Sequence, residues 1–95
     1  VLTDEQKAVC ARAVDRYGRR AQLRKVSEEL RELADECDKA ASGCGDADHL
    51  AHERADVYVV LYQFDNLLLP SLKPAVREKI KSQVDRLERR LNDER

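Results

Sequence analysis

Turn-forming residues are scarce in this chain, with three Gly and two Pro in 95 residues. Such scarcity disfavours a turn-rich all-β fold and, equally, a disordered linker. Aromatic residues amount to only 4%: Tyr17, Tyr58, Tyr62 and Phe64. A surplus of one charge is also missing, because eighteen basic residues face nineteen acidic ones for a net of −1. A protein that grips nucleic acid by bulk electrostatics needs a basic excess, so no nucleic-acid partner is expected. The longest apolar run, Val57 to Tyr62, is far too short to span a bilayer, and no membrane partner is expected. No secretory leader is recognisable. The chain opens on Val1 instead of Met, which leaves room for native residues upstream. Three cysteines, Cys10, Cys37 and Cys44, are an odd number at irregular spacing. They fit free thiols in a reducing compartment, hence a cytoplasmic location, better than a disulfide framework.

What remains is 42% apolar and 39% charged residues, distributed with a helical period. One all-α domain over residues 1–95 follows, built from four helices. Thr3 with Gln6 three residues later reads as a capping box, and the first helix runs to about Tyr17, where Gly18 ends or bends it. The second helix runs from about Arg20 to Ala41. Its apolar stripe is Leu23, Val26, Leu30, Leu33 and Cys37, spaced by threes and fours. Ser42 to Asp46 is the clearest loop, and Asp46 or Asp48 caps a third helix that reaches about Leu69. Pro70 and Pro74 bracket a short connection, with Pro74 in the first turn of the fourth helix. That helix carries Val76, Ile80, Val84, Leu87 and Leu91 on one side, with Leu87 and Leu91 expected to pack inward. The third helix is apolar around much of its cylinder, from Val57 to Leu69. A helix of that kind is buried nearly all round. Three neighbours from one chain cover part of it, so a second copy of the chain is expected to cover the rest. The expected assembly is an oligomeric helical bundle, a homodimer or homotetramer.

The charges fall into a pattern on the same wheel. Gln22, Lys25, Glu29, Glu32 and Glu36 share a strip of about 80° beside the apolar stripe, with Glu28 just outside it. Glu29 and Glu32, three apart, and Glu28 and Glu32, four apart, are neighbours whose like charges destabilise an isolated helix. Glu53 and Asp56, also three apart, stand at the head of the apolar third helix. Ionised carboxylates partly buried against Val and Leu are costly unless paired or bound to metal. Packing the second and third helices antiparallel makes Glu29 and Glu32 face Glu53 and Asp56. About four negative charges in one pocket raise some of the carboxyl pKa values, and two divalent cations balance them. An all-oxygen ligand set favours Mg²⁺ or Mn²⁺ over Zn²⁺. Lys25, one turn before Glu29, is placed to neutralise a phosphate oxygen. A simpler alternative keeps these glutamates on a solvated face, paired with Arg24, Arg31 and Arg54.

The ordered set Glu28-Glu29-x-x-Glu32, twenty residues, Glu53-x-x-Asp56 resembles the signature of the all-α nucleoside triphosphate pyrophosphohydrolase superfamily, the MazG-like proteins. Tyr17-Gly18 followed by Gln22 and Lys25 resembles the lead into that family's first metal helix. Lys81 through Leu91 resembles the last helix of its short members. The likeness spans about residues 14 to 92. It implies a dimer or dimer of dimers and Mg²⁺-dependent cleavage of a (d)NTP to (d)NMP and pyrophosphate. By that pattern Glu29, Glu32, Glu53 and Asp56 are metal ligands. Glu28 is a further ligand or the group that orients the attacking water. Lys25 touches phosphate, Gln22 lies near the nucleoside, and Arg77, Lys79 or Lys81 reaches the phosphates, across the dimer. One departure is His52, where short members often carry another acid.

Other constellations compete. Cys37, Cys44, His49 and His52 do not have the spacing of a zinc knuckle, and Cys37 on the apolar stripe reads as a small core residue. Tyr58 and Tyr62 read as core or interface residues first and as nucleobase platforms second. No Ser-His-Asp arrangement and no P-loop is recognisable. The rival functional class is a non-catalytic helical dimerisation or adaptor protein.

Overall fold

The computed structural model describes residues 1–94, all helical apart from short connections. Four α-helices follow one another: α1 (Asp4–Tyr17), α2 (Arg19–Ala41), α3 (Ala47–Gln63) and α4 (Lys73–Asp93). A π-helical turn, Phe64–Leu68, continues α3, and a 3₁₀ turn, Pro70–Leu72, leads into α4. Among the described residues no helix is long and apolar enough to cross a membrane.

Local chemistry sets the ends of these elements. Thr3 and Gln6 form the expected capping box: the Gln6 N–H donates to Thr3 Oγ1 at 3.1 Å and the Thr3 N–H to Gln6 Oε1 at 2.8 Å. Gly18 separates α1 from α2 at φ +88° and ψ 157°, a conformation that is essentially glycine's alone. Asp46 caps α3, accepting from the N–H groups of Asp48 and His49 at 2.8 and 3.2 Å. Its carboxyl is held below its ordinary pKa by those two backbone donors, His49 first. The five-residue loop 42–46 folds α2 and α3 into a helical hairpin. A Cβ on Gly45 would stand 2.8 Å from Ala40 Cα, so the loop closes backbone against backbone.

The core is small. Val26, Val60 and Leu68 are buried together, with Val14, Leu23, Phe64 and Leu69 packed around them. Each fully buried aliphatic side chain contributes about 1.5–3 kcal/mol. These residues lie on α1, α2, α3 and the π turn, so those elements form the body of the molecule. α4 stands apart: every described residue from Lys73 onward is exposed, and its main contact is the 3₁₀ turn. Leu87 and Leu91 therefore do not pack inward within the chain.

The helical period of α2 is as expected, but its rotation is not. The inward-facing line runs through Gln22, Val26, Glu29, Leu33 and Glu36, buried or half-buried. Leu30 is 44% exposed, and Cys37 is exposed. The buried face is thus turned about 60° from the apolar stripe toward the acidic strip. Cys37 is not a core residue.

Candidate metal centre

Glu29 and Glu32 lie one turn apart on α2, and Glu53 and Asp56 one turn apart on α3. The hairpin brings the two pairs together. One carboxylate oxygen from each of the four residues lies within 4.8 Å of the other three. Glu29 is buried, Glu53 and Asp56 are half-buried, and Glu32 is exposed. The site thus has a closed inner side and an open outer one.

Its electrostatics are unbalanced. Lys25 Nζ lies 3.0 Å from Glu29 Oε1 and 3.8 Å from Glu28 Oε2. The hydrogen bond to Glu29, and then its charge, raise the Lys25 pKa. Glu29 Oε2 and Glu53 Oε2 are both buried without a hydrogen-bond partner. Such atoms are rare in folded proteins, and each costs about 1–3 kcal/mol or more when charged. The Glu32 carboxyl is pushed above its ordinary value, first by hydrogen bonding with Glu53 and then by the negative charge of Glu29 and Glu53. Arg24, Arg31 and Arg54 form no ion pair with the quartet among the described residues, and Arg54 instead lies over the Tyr58 ring at 6.0 Å.

The donor chemistry fits a hard divalent cation. All four donors are oxygens, as Mg²⁺ and Mn²⁺ prefer. Opposite oxygens around one octahedral Mg²⁺ are about 4.2 Å apart. A 4.8 Å cluster is close to that span, and its two unpartnered oxygens lack a positive partner. His52 borders the quartet: its Nε2 is 3.3 Å from Asp56 Oδ2, and His52, Glu53 and Asp56 make a second three-ligand group. Neither group includes a cysteine.

Beside the acids opens a cleft of about 570 Å³, within the range of small-molecule sites, lined by Gln22, Lys25, Glu28, Glu29, Asp56 and Gln63, with Tyr17 and apolar Ala21, Val59 and Val60. Five of the eight residues expected at the site line this cleft, and Glu32 and Glu53 complete the quartet next to it. Lys81 is not brought there within one chain, because α4 projects away from the body. Tyr58 and Tyr62 line a different, smaller depression with Arg54. The aromatic ring in the cleft is Tyr17.

Gln63 is the polar cleft residue that the charge pattern does not single out. It is only 4% exposed, and its Nε2 donates to the Cys10 carbonyl at 3.2 Å. The signal was available: Gln63 lies seven residues after Asp56, hence on the same face of α3, and is an amide within an apolar run.

No family model matches this chain, and no curated protein or solved structure matches it.

Proposed function

We propose that this protein is a Mg²⁺- or Mn²⁺-dependent nucleoside triphosphate pyrophosphohydrolase of MazG-like type, cleaving a (d)NTP to (d)NMP and pyrophosphate. The observation that carries the reading is the quartet of Glu29, Glu32, Glu53 and Asp56, with two buried carboxylate oxygens lacking any partner. Glu29, Glu32, Glu53 and Asp56 would hold the metal. When bound, a divalent cation offsets the charge on a triphosphate and lowers the pKa of an attacking water. Lys25 sits where it can meet a phosphate oxygen while bonded to Glu29. Glu28, more exposed and only loosely held by Lys25, is free to accept a proton from that water. The cleft mixes charged, amide and apolar walls, as a ligand with a polar tail and a flat base requires. Gln22 and Gln63 offer amide groups to a base edge, and Tyr17 at the rim offers a ring.

A non-catalytic adaptor is favoured by one observation, the bare apolar stripe of α4. That reading leaves the two unpartnered carboxylate oxygens without a purpose. The deciding experiment incubates the chain with each NTP and dNTP in millimolar Mg²⁺ and separates the products. Nucleoside monophosphate with pyrophosphate is expected, and Glu53→Gln should abolish it. Release of orthophosphate with a nucleoside diphosphate would mean that a different bond is cut. An unchanged rate in Glu53→Gln would remove the metal assignment.

A further inference from the structure

We propose that the cleft selects its nucleotide by the sugar, taking 2′-deoxynucleoside triphosphates over ribonucleoside triphosphates because the wall between its two polar ends offers a 2′-hydroxyl no partner. This selection rests on the pyrophosphohydrolase reading above and narrows its substrate class.

The register of the helical hairpin divides the cleft into tiers. Glu29 on α2 and Asp56 on α3 meet in the acidic quartet. Gln22 stands seven residues before Glu29, and Gln63 seven residues after Asp56. The two helices run antiparallel, so these equal steps carry both amides in the same direction, two turns and about 10.5 Å along the axes. All four residues line the one cleft. Acids therefore stand at one end and amides at the other, about the length of a nucleoside apart.

The amide end suits the edge of a base. Gln63 is 4% exposed and Gln22 9%. Gln63 Nε2 donates to the Cys10 carbonyl at 3.2 Å. That bond fixes the rotation of the amide, because a flipped amide would set two oxygens against each other. The oxygen end of the Gln63 amide is left for an N–H group of the ligand.

Between these ends the wall is aliphatic. Val59 and Val60 fall midway from Asp56 to Gln63, and both line the cleft. From α2 the same level is met by the stem of Lys25, whose ammonium is turned to Glu29 at 3.0 Å. Backbone N–H and C=O groups at this level are engaged within the helices. A sugar laid across this tier meets methyl and methylene groups. A 2′-hydroxyl pressed against them gives up water without a replacement, which is costly. The 3′-hydroxyl is common to both sugars and cancels between them. An apolar wall rejects an added hydroxyl by up to about a hundredfold, so Val59 and Val60 are specificity-determining residues of modest power.

The test is calorimetric binding of α,β-imido analogues, which resist cleavage at the α–β link, to the full chain in Mg²⁺. For one base, the 2′-deoxy analogue should bind about ten- to a hundredfold more tightly than the ribo analogue. A 2′-fluoro analogue, similar in bulk but with no N–H or O–H to satisfy, should bind like the deoxy form. Val59 is 39% exposed, so Val59→Thr and Val59→Asn should keep the fold, checked by circular dichroism. At least one of them should narrow the ratio by giving the 2′-hydroxyl a partner. Equal affinity for deoxy and ribo analogues overturns this proposal and leaves the pyrophosphohydrolase reading standing. A 2′-fluoro analogue as weak as the ribo form also overturns it, because the exclusion would then be steric. So does a ratio unchanged in both Val59 variants. Binding of none of the analogues overturns both readings together.

Discussion

Replacing Glu53 by Gln should change stability in opposite directions with and without metal. Two full charges 4.8 Å apart repel by about 3.5 kcal/mol at an effective dielectric of 20. Glu53 stands within that distance of Glu29 and Asp56. Proton sharing and the open outer side reduce the repulsion, so neutralising Glu53 should stabilise the metal-free chain by about 1–2 kcal/mol. The new amide N–H donates to a neighbouring carboxylate and keeps the geometry. The native chain gains stability from the cation instead. At tenfold the dissociation constant, binding adds about 1.4 kcal/mol, or about 6–11 °C of Tm for a chain of this size. Thermal unfolding at fixed protein concentration, with and without Mg²⁺ or Mn²⁺, reads both effects. The variant should start higher than the native chain and then ignore the metal. A native chain indifferent to both ions would refute the reasoning. So would a variant that loses stability without metal, since Glu53 would then be a structural acceptor.

Three further outcomes can be checked. Glu28→Gln should lower kcat at least a hundredfold, as loss of a general base does, while leaving the Mg²⁺ increment in Tm intact. Gly18→Ala should cost about 1–3 kcal/mol in chemical denaturation through backbone strain alone, because nothing stands within 4 Å of the added methyl. Asp46 has a pKa lowered from its ordinary 3.8 by the N–H groups it caps. Its contribution to stability is complete above 3.8 and is lost as pH falls through the lower folded value. Asp46→Asn keeps the cap without the charge, so acid unfolding curves of that variant should be flatter in this range.

The four acids were legible because each pair obeys the simplest helical rule, three residues apart, and a short loop allows only one way for the helices to meet. The rotation of α2 was not legible. A wheel drawn for one helix places Leu23, Leu30 and Cys37 inward, because it sees apolarity and not the neighbour. Glu29 is buried at the expense of Leu30, which only the shape of α3 decides. The fate of α4 was hidden for a related reason. An apolar stripe states that something covers it, not whether the cover belongs to the same chain. Gln63 was missed because a single amide in a run of Val, Leu and Tyr looks like an interruption until Asp56 fixes the face to inspect.

Gly45 acts as a ruler between the two halves of the acidic quartet. A side chain there would run into the Ala40 backbone, so the turn closes on a residue without one. An insertion pushed into α3 would turn Glu53 and Asp56 by about 100°, scattering the carboxylates while every helix remained intact. The count of residues from Glu32 to Glu53 is therefore as much a part of this site as the acids themselves.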